Sequence, residues 1–215
     1  MSFELVIFDL DGTLIDTKQD VFTSFNKALV QCGHAPVEIG LLLSLLGKPL
    51  DDIVRGLLGG TPPDEDIKEV GRVYKSIHAS SEKPNTRPFP GIPQLCKTLQ
   101  DDGILLAVNT NKPQESAIST LKQLLPEIDF LVVGLGTVST VKPDPQGVFD
   151  ILTQLNVQVE NALYIGDTGV DRDTALNAGV EYLIVDWGQG SSELFSQIDP
   201  ARIVSNTDHI LAFMR

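Results

Sequence analysis

The chain is expected to fold as an α/β protein, a doubly wound parallel sheet with a small helical domain inserted after the first strand. Three observations carry this expectation. Short continuous apolar runs recur along the chain, helical stretches alternate with them, and the region 16–87 has helical periodicity alone. The first run, Leu5–Phe8, reads as a buried strand. Further strand-like runs are Ile104–Asn109, Phe130–Val133, Leu163–Ile165 and Tyr182–Val185, with a weaker Ile203–Val204. Between them Ile92–Gln100, Gln114–Leu124, Pro145–Leu155 and Asp171–Ala178 read as helices. Short unbroken apolar runs suit strands covered on both faces, as in a Rossmann-like core.

The insert is the one break in this rhythm. Val21, Phe22, Phe25, Ala28 and Leu29 follow helical spacing. Ile39–Leu46, Leu50–Leu58 and Ile67–Ile77 also look helical, punctuated by Gly33, Pro36, Gly47-Lys48-Pro49, Gly59-Gly60 and Pro62-Pro63. The segment Pro84 to Pro93, with four prolines and a glycine, reads as the return linker. The expected division is a catalytic core of 1–15 and 88–215 and a helical cap domain of 16–87.

Composition narrows the classes of function. With 215 residues, 42% of them apolar, the chain can bury a substantial core. Its 29 Asp+Glu outnumber 16 Lys+Arg for a formal charge of −13. So acidic a surface repels nucleic-acid phosphates and anionic membranes, and neither is an expected partner. A small phosphorylated metabolite is still acceptable where local cations reverse the field. Cys32 and Cys96 sit in periodic apolar segments without metal-type spacing and read as buried thiols. The opening strand leaves no room for a signal peptide, and no apolar run is long enough to span a bilayer. A cytoplasmic monomer or homodimer is expected.

Chemistry is concentrated at four strand ends. Asp9-Leu10-Asp11-Gly12-Thr13 follows the first strand, and Asn109-Thr110-Asn111-Lys112-Pro113 closes the second. Lys142-Pro143-Asp144-Pro145 precedes a helix, and Gly166-Asp167-Thr168-Gly169-Val170-Asp171 closes Leu163–Ile165. Parallel strands bring such ends to one edge, where open α/β sheets bind ligands. Two carboxylates so close repel one another unless a cation sits between them or one is protonated. The acids supply oxygen ligands only, which favours a hard cation such as Mg²⁺ over Zn²⁺. Cation, lysine and hydroxyl together suit a phosphoryl group. One Asp can then act as nucleophile and a second carboxyl as proton donor and acceptor. Phosphate-monoester hydrolysis needs accelerations up to about 10²¹-fold in the extreme, which calls for several such effects combined.

The four signals, in this order, resemble the haloacid dehalogenase-like hydrolase superfamily. The helical insert, the opening Asp9 to Asp20 with Asn26 after it, and Thr110-Asn111-Lys112-Pro113 resemble its phosphoglycolate phosphatase-like branch. The resemblance implies a phosphatase of small phosphomonoesters that works through an aspartyl-phosphate. It implies Asp9 as nucleophile and Mg²⁺ ligand, and Asp11 as general acid/base whose backbone carbonyl also meets the metal. Thr110 would bind the phosphoryl group, aided by the amides near Gly12 and Asn111. Lys142 would bridge nucleophile and phosphate, and Asp167 and Asp171 would complete the metal site.

Plainer readings exist for several of these residues. Thr110 also suits a helix N-cap, and Asp171 suits a helix first turn favoured by the dipole. Asp173 and Asp144 read as surface acids, and Trp187 as packing. His34, His78 and His209 form no cluster. Asp16, Asp20 and Asn26 are candidates to order the cap entrance, with helix capping an equal reading for Asp16. In the insert, Lys48 could offer a charge to a second anionic group of the substrate.

Competing functions share the scaffold. A sugar-phosphate mutase is disfavoured because Val21 occupies the position where those relatives usually carry His. Nucleotide phosphatase and pyrophosphatase activities stay open, since cap residues decide between them. A phospho-Asp receiver domain is disfavoured by the Asp9–Asp11 pair and by the helical insert.

Overall fold

A computed structural model of the chain describes residues 3–137 and 140–214. The chain divides into two compact units, one of Met1–Ile15 with Arg87–Arg215 and one of Asp16–Thr86.

In the first unit the strands β1 (Leu5–Phe8), β4 (Leu105–Pro113), β5 (Leu131–Leu135), β6 (Ala162–Gly166), β7 (Glu181–Val185) and β8 (Ile203–Val204) form one sheet. Among the described residues it has six strands in the order β5-β4-β1-β6-β7-β8, and every pairing is parallel. The short β2 (Ile15–Asp16) and β3 (Arg87–Pro88) make a separate two-stranded ribbon. The helices of this unit are α5 (Ile92–Asp101), α6 (Gln114–Leu124), α7 (Gln146–Leu155), α8 (Gly169–Ala178), α9 (Ser192–Ser196) and α10 (Thr207–Met214).

The central strand shows why its sequence is apolar without alternation. All four residues of β1 are fully buried. Val6 and Phe8 join a core with Ile92, Leu95, Ala117, Leu121 and Ile210, from α5, α6 and α10. Leu5 and Ile7 join another with Val148, Ile151, Ala175 and Ala178, from α7 and α8. Alternate side chains point to opposite faces of a strand, so a sheet covered on both sides needs apolar residues at every position. Each such large side chain contributes about 1.5–3 kcal/mol by its burial.

The register sets the active edge. Phe8 lies opposite Val108 on one side and Ile165 on the other. Asp9, Asn109 and Gly166 therefore lie at one level across the sheet, and the Asp9 amide still donates to the Ile165 carbonyl at 2.8 Å. The strand expected to end at Asn109 continues to Pro113, with a register shift against β5 between Asn109 and Pro113. β5 lies one to two residues beyond its expected position. The helices α9 and α10 lie outside the helical stretches expected from the sequence.

The second unit contains α1 (Lys18–Gln31), α2 (Ile39–Leu43), α3 (Leu50–Leu58) and α4 (Asp64–Ser80). Val21, Phe25, Ala28 and Leu29 of α1 pack with Ile67, Val70 and Val73 of α4 and Ile53, Val54 and Leu57 of α3. The rings of Phe25 and Tyr74 stack at 3.8 Å between centroids. The helix expected over Ile39–Leu46 stops at Leu43. Leu45 beyond it packs where a Cβ on Gly56 would lie 2.6 Å from its side chain.

Two polar residues of the opening segment, Asp20 and Asn26, tie distant parts of this unit together, and a third, Asp16, makes a local contact. Asp20 is buried and accepts from the Asn85 amide at 3.0 Å, Asn85 Nδ2 at 2.9 Å and Thr86 Oγ1 at 2.7 Å. The Asn26 side chain bonds both backbone groups of Val37. Asp16 Oδ1 accepts from the Lys18 amide at 3.4 Å.

Candidate active site

The site is built from the strand ends of the first unit. Gly12 follows the two acids with φ 103°, and a Cβ there would lie 2.3 Å from Asp167 Oδ2. Glycine is needed for both reasons, since side chains rarely adopt that backbone region and no space exists for one. The turn closes through the Gly12 amide on the Ile15 carbonyl.

Lys142 is the electrostatic centre. Its ammonium lies 2.6 Å from Asp9 Oδ1 and 2.6 Å from Asp171 Oδ1, and all three residues are buried. Asn111 orients it: the Asn111 Oδ1 accepts from the Lys142 amide at 2.9 Å, and Nδ2 donates to its carbonyl at 3.4 Å. Asp171 is the N3 residue of α8 in a reciprocal capping box with Thr168. Its Oδ2 accepts from Thr168 Oγ1 at 2.6 Å and from the Thr168 amide at 3.0 Å. Capping and the lysine contact thus coexist in one residue, each using a different oxygen.

Asp167 is wholly buried and, among the described residues, has no lysine partner. It accepts from Thr13 Oγ1 at 3.1 Å and from the Gln189 amide at 2.7 Å. One carboxylate oxygen each from Asp9, Asp167 and Asp171 lies within 4.8 Å of the others. Three buried acids against one ammonium leave an excess of negative charge. Burial pushes the Asp9 carboxyl up to about 7, with Lys142 opposing and Asp171 adding to the rise. Burial, followed by the charges of Asp171 and Asp9, drives Asp167 well above the usual carboxylate range. Burial also acts to raise Asp171, but Lys142 and the Thr168 hydrogen bonds outweigh it and hold that carboxyl low. Likewise burial would lower Lys142, and the charges of Asp171 and Asp9 raise it well above its ordinary value. An all-oxygen set carrying uncompensated charge has the donor chemistry that a hard divalent cation takes.

The remaining expected residues sit as follows. Thr110 is buried, and its Oγ1 accepts from the Lys112 amide at 3.2 Å. The N-cap of α6 is Pro113, so Thr110 does not cap that helix. The Asp11 carboxylate lies outside the three-acid group and pairs with Lys112. Lys48 belongs to the other unit, exposed between α2 and α3. Asp173 pairs with Arg172 at the surface, and Asp144 accepts from the Gln146 amide.

Sequence reasoning missed four contributors: Lys112, Thr13, Thr168 and the segment Trp187–Gly190. The first three stand inside the strand-end motifs without a role of their own, and that position was the available signal. The segment carried a weaker one, two glycines flanking Gln189 at the end of β7.

A parallel sheet with these acids and this lysine at one edge defines a class. The sequence matches the haloacid dehalogenase-like hydrolases over residues 6–185, and the chain belongs to that family. It is 32% identical over 193 residues to a phosphoglycolate phosphatase of Rhodobacter capsulatus, covering 88% of this chain and 87% of that one. It is 28% identical over 214 residues to Pyrophosphatase PpaX of Halalkalibacterium halodurans, covering 98% and 96%. Its fold is also that of a haloacid dehalogenase-like family protein from Streptococcus pneumoniae, with a TM-score of 0.87, 23% identity and 99% of each chain covered. No helix among the described residues is long and apolar enough to cross a membrane.

Proposed function

We propose that the protein is a Mg²⁺-dependent phosphatase of small phosphomonoesters, acting through an aspartyl-phosphate on Asp9. The observation that carries this reading is the Asp9 carboxylate held by Lys142 at 2.6 Å beside Asp167 and Asp171. The relatives named phosphoglycolate phosphatase and pyrophosphatase support the substrate class.

Asp9, Asp167 and Asp171, with the backbone carbonyl of Asp11, would hold the cation. When bound, Mg²⁺ supplies positive charge that neutralises the phosphoryl oxygens and keeps Asp9 ionised. Lys142 aligns the Asp9 carboxylate, and Asn111 fixes the lysine backbone. Thr110 donates its hydroxyl to the phosphoryl group, with the amides near Gly12 and Asn111 as further donors. An Asp9 oxygen forms a bond to phosphorus while the bond to the leaving oxygen breaks, and Asp11 gives that oxygen its proton. Water then attacks phosphorus and yields a proton to Asp11. The Asp9–phosphorus bond breaks and inorganic phosphate leaves.

The 16–87 segment serves in this reading as the substrate-selecting cap, with Lys48 as a charge for a second anionic group. The substrate is a small phosphorylated metabolite, and neither nucleic acid nor membrane is a partner.

The test is turnover of p-nitrophenyl phosphate with Mg²⁺, then a screen of 2-phosphoglycolate, inorganic pyrophosphate and neutral phosphoesters ranked by kcat/KM. The expected result is Mg²⁺-dependent turnover that Asp9→Asn abolishes. Turnover surviving in Asp9→Asn, or stable labelling by acetyl phosphate without turnover, would overturn the reading. Lys48→Ala is expected to raise KM for a carboxylated ester more than for a neutral one.

A further inference from the structure

We infer that the segment Trp187–Gly190, at the exit of β7, is a latch that positions Asp167 for its cation. The inference rests on the Mg²⁺ reading above and adds to it residues outside the four strand-end signals.

Three contacts tie this segment to the site. The Gln189 amide donates to Asp167 Oδ2 at 2.7 Å, the shorter of the two hydrogen bonds to that carboxylate. The Trp187 indole Nε1 donates to the Thr13 carbonyl at 3.2 Å, and Thr13 Oγ1 donates to the other carboxylate oxygen. Gly188 runs so close that a Cβ on it would lie 2.4 Å from Asp167 Cβ and 2.5 Å from the Gly12 carbonyl oxygen. The next turn is equally tight, since a Cβ on Gly190 would lie 2.6 Å from the Asp167 carbonyl oxygen.

The latch has a firm base. The Asp186 amide donates to the Val204 carbonyl, and Ser205 Oγ donates to Asp186 Oδ2 at 2.6 Å. The Trp187 ring packs against Phe89 at 6.3 Å between centroids.

A carboxylate without a lysine partner is aimed only by its hydrogen bonds and by the shape of its surroundings. Here one oxygen is aimed by Thr13 and the other by Gln189, and the segment 187–190 controls both. It reaches Asp167 directly through the Gln189 amide, and Thr13 through the indole. Groups that orient a metal ligand from behind typically govern about ten- to hundredfold in metal affinity. These are positioning residues, not catalytic ones, because they act through Asp167 and Thr13.

The test is calorimetric titration of Mg²⁺ alone into the purified protein, free of substrate. Two variants are compared with wild type. Gly188→Ala pushes on Asp167, and Trp187→Phe removes the indole N–H while keeping a ring against Phe89. Circular dichroism establishes which variants are folded, and Gly40→Ala, with open space around its Cβ, controls for glycine replacement in general.

The expected result is a Mg²⁺ Kd raised about tenfold or more in Gly188→Ala and several-fold in Trp187→Phe, with Gly40→Ala unchanged. Wild-type Kd in every folded variant overturns the latch while leaving the cation site intact. No saturable Mg²⁺ binding by wild type overturns the cation reading, and the latch with it.

Discussion

The ammonium of Lys112 lies 2.9 Å from Oδ1 and 3.1 Å from Oδ2 of Asp11, bridging a carboxylate 101 residues earlier in the chain. The Lys112 side chain is 12% exposed and the Asp11 side chain 29%. The pair turns the Asp11 carboxylate away from the acidic group formed by Asp9, Asp167 and Asp171. Lys112→Met is therefore expected to lower kcat about tenfold with little change in KM. Its effect on stability should be about 1 kcal/mol or less, as for other partly exposed ion pairs. Steady-state kinetics on p-nitrophenyl phosphate and urea melts measure the two quantities, and an unchanged kcat would remove Lys112 from the site.

The crowding of acids carries a cost in stability. The Asp9 carboxyl has a pKa of 3.8 when free and about 7 when folded. Below 3.8 it is protonated in both states and costs nothing. As pH rises from there through 7, the unfolded state loses its proton first and gains stability relative to the native one. The full penalty is on the order of a few kcal/mol above pH 7. Without added cation, Asp9→Asn should raise the urea midpoint at pH 8 and leave it nearly unchanged at pH 3.5. Equal shifts at both pH values would refute the assignment.

Cation binding should follow the same protons. Asp9 takes up a proton below about 7, and Asp167 is raised in the same direction. Mg²⁺ must displace those protons, so its affinity falls as pH falls through this range. The rise in Tm on adding Mg²⁺ is expected to be clearly larger at pH 8 than at pH 5.5. A rise that is constant across the range would show that Asp9 does not meet the cation.

In the helical unit, Asp20 fastens the first helix to Asn85 and Thr86 through three hydrogen bonds. Asp20→Ala removes all three and leaves the Asn85 amide without its partner. The expected loss is about 1–3 kcal/mol in chemical denaturation. Proteolysis near residues 84–86 should accelerate in parallel, as the linker is released.

Burial pushes the Cys96 thiol up to about 12, so almost no thiolate forms at pH 8. Cys32 is only partly buried. Titration of the native protein with a thiol reagent should modify Cys32 and spare Cys96, and urea should expose both. Rapid reaction of two thiols in the native state would contradict the packing around α5.

The sheet was legible because its signal is local. Leu5–Phe8 is apolar throughout, and the other strands repeat that pattern between helical periods. The ends of elements were less legible. β4 runs on to Pro113 because it pairs with β5 beyond Asn109, and pairing partners leave no mark on a single strand. Asp9, Asp167 and Asp171 could be singled out because charged side chains at or just past the ends of buried strands are conspicuous, and Lys142, itself a lysine before a proline, only because it stands in order with the other signals. Lys112 could not, since a lysine before a proline at a strand end is ordinary until its partner is known.

By itself the sequence determined the parallel sheet, the order of its chemical groups and their shared edge, because hydrophobic periodicity and strand direction act over a few residues. Only the tertiary structure decided which oxygen meets which donor. Asn111 clasps the backbone of Lys142, Lys112 takes Asp11, and Gln189 takes Asp167. Those pairings join positions 31, 101 and 22 residues apart and depend on sheet register and on close backbone approaches at Gly12 and Gly188. Contacts at that separation are set by the packing of the whole domain, and no local stretch of chain encodes them.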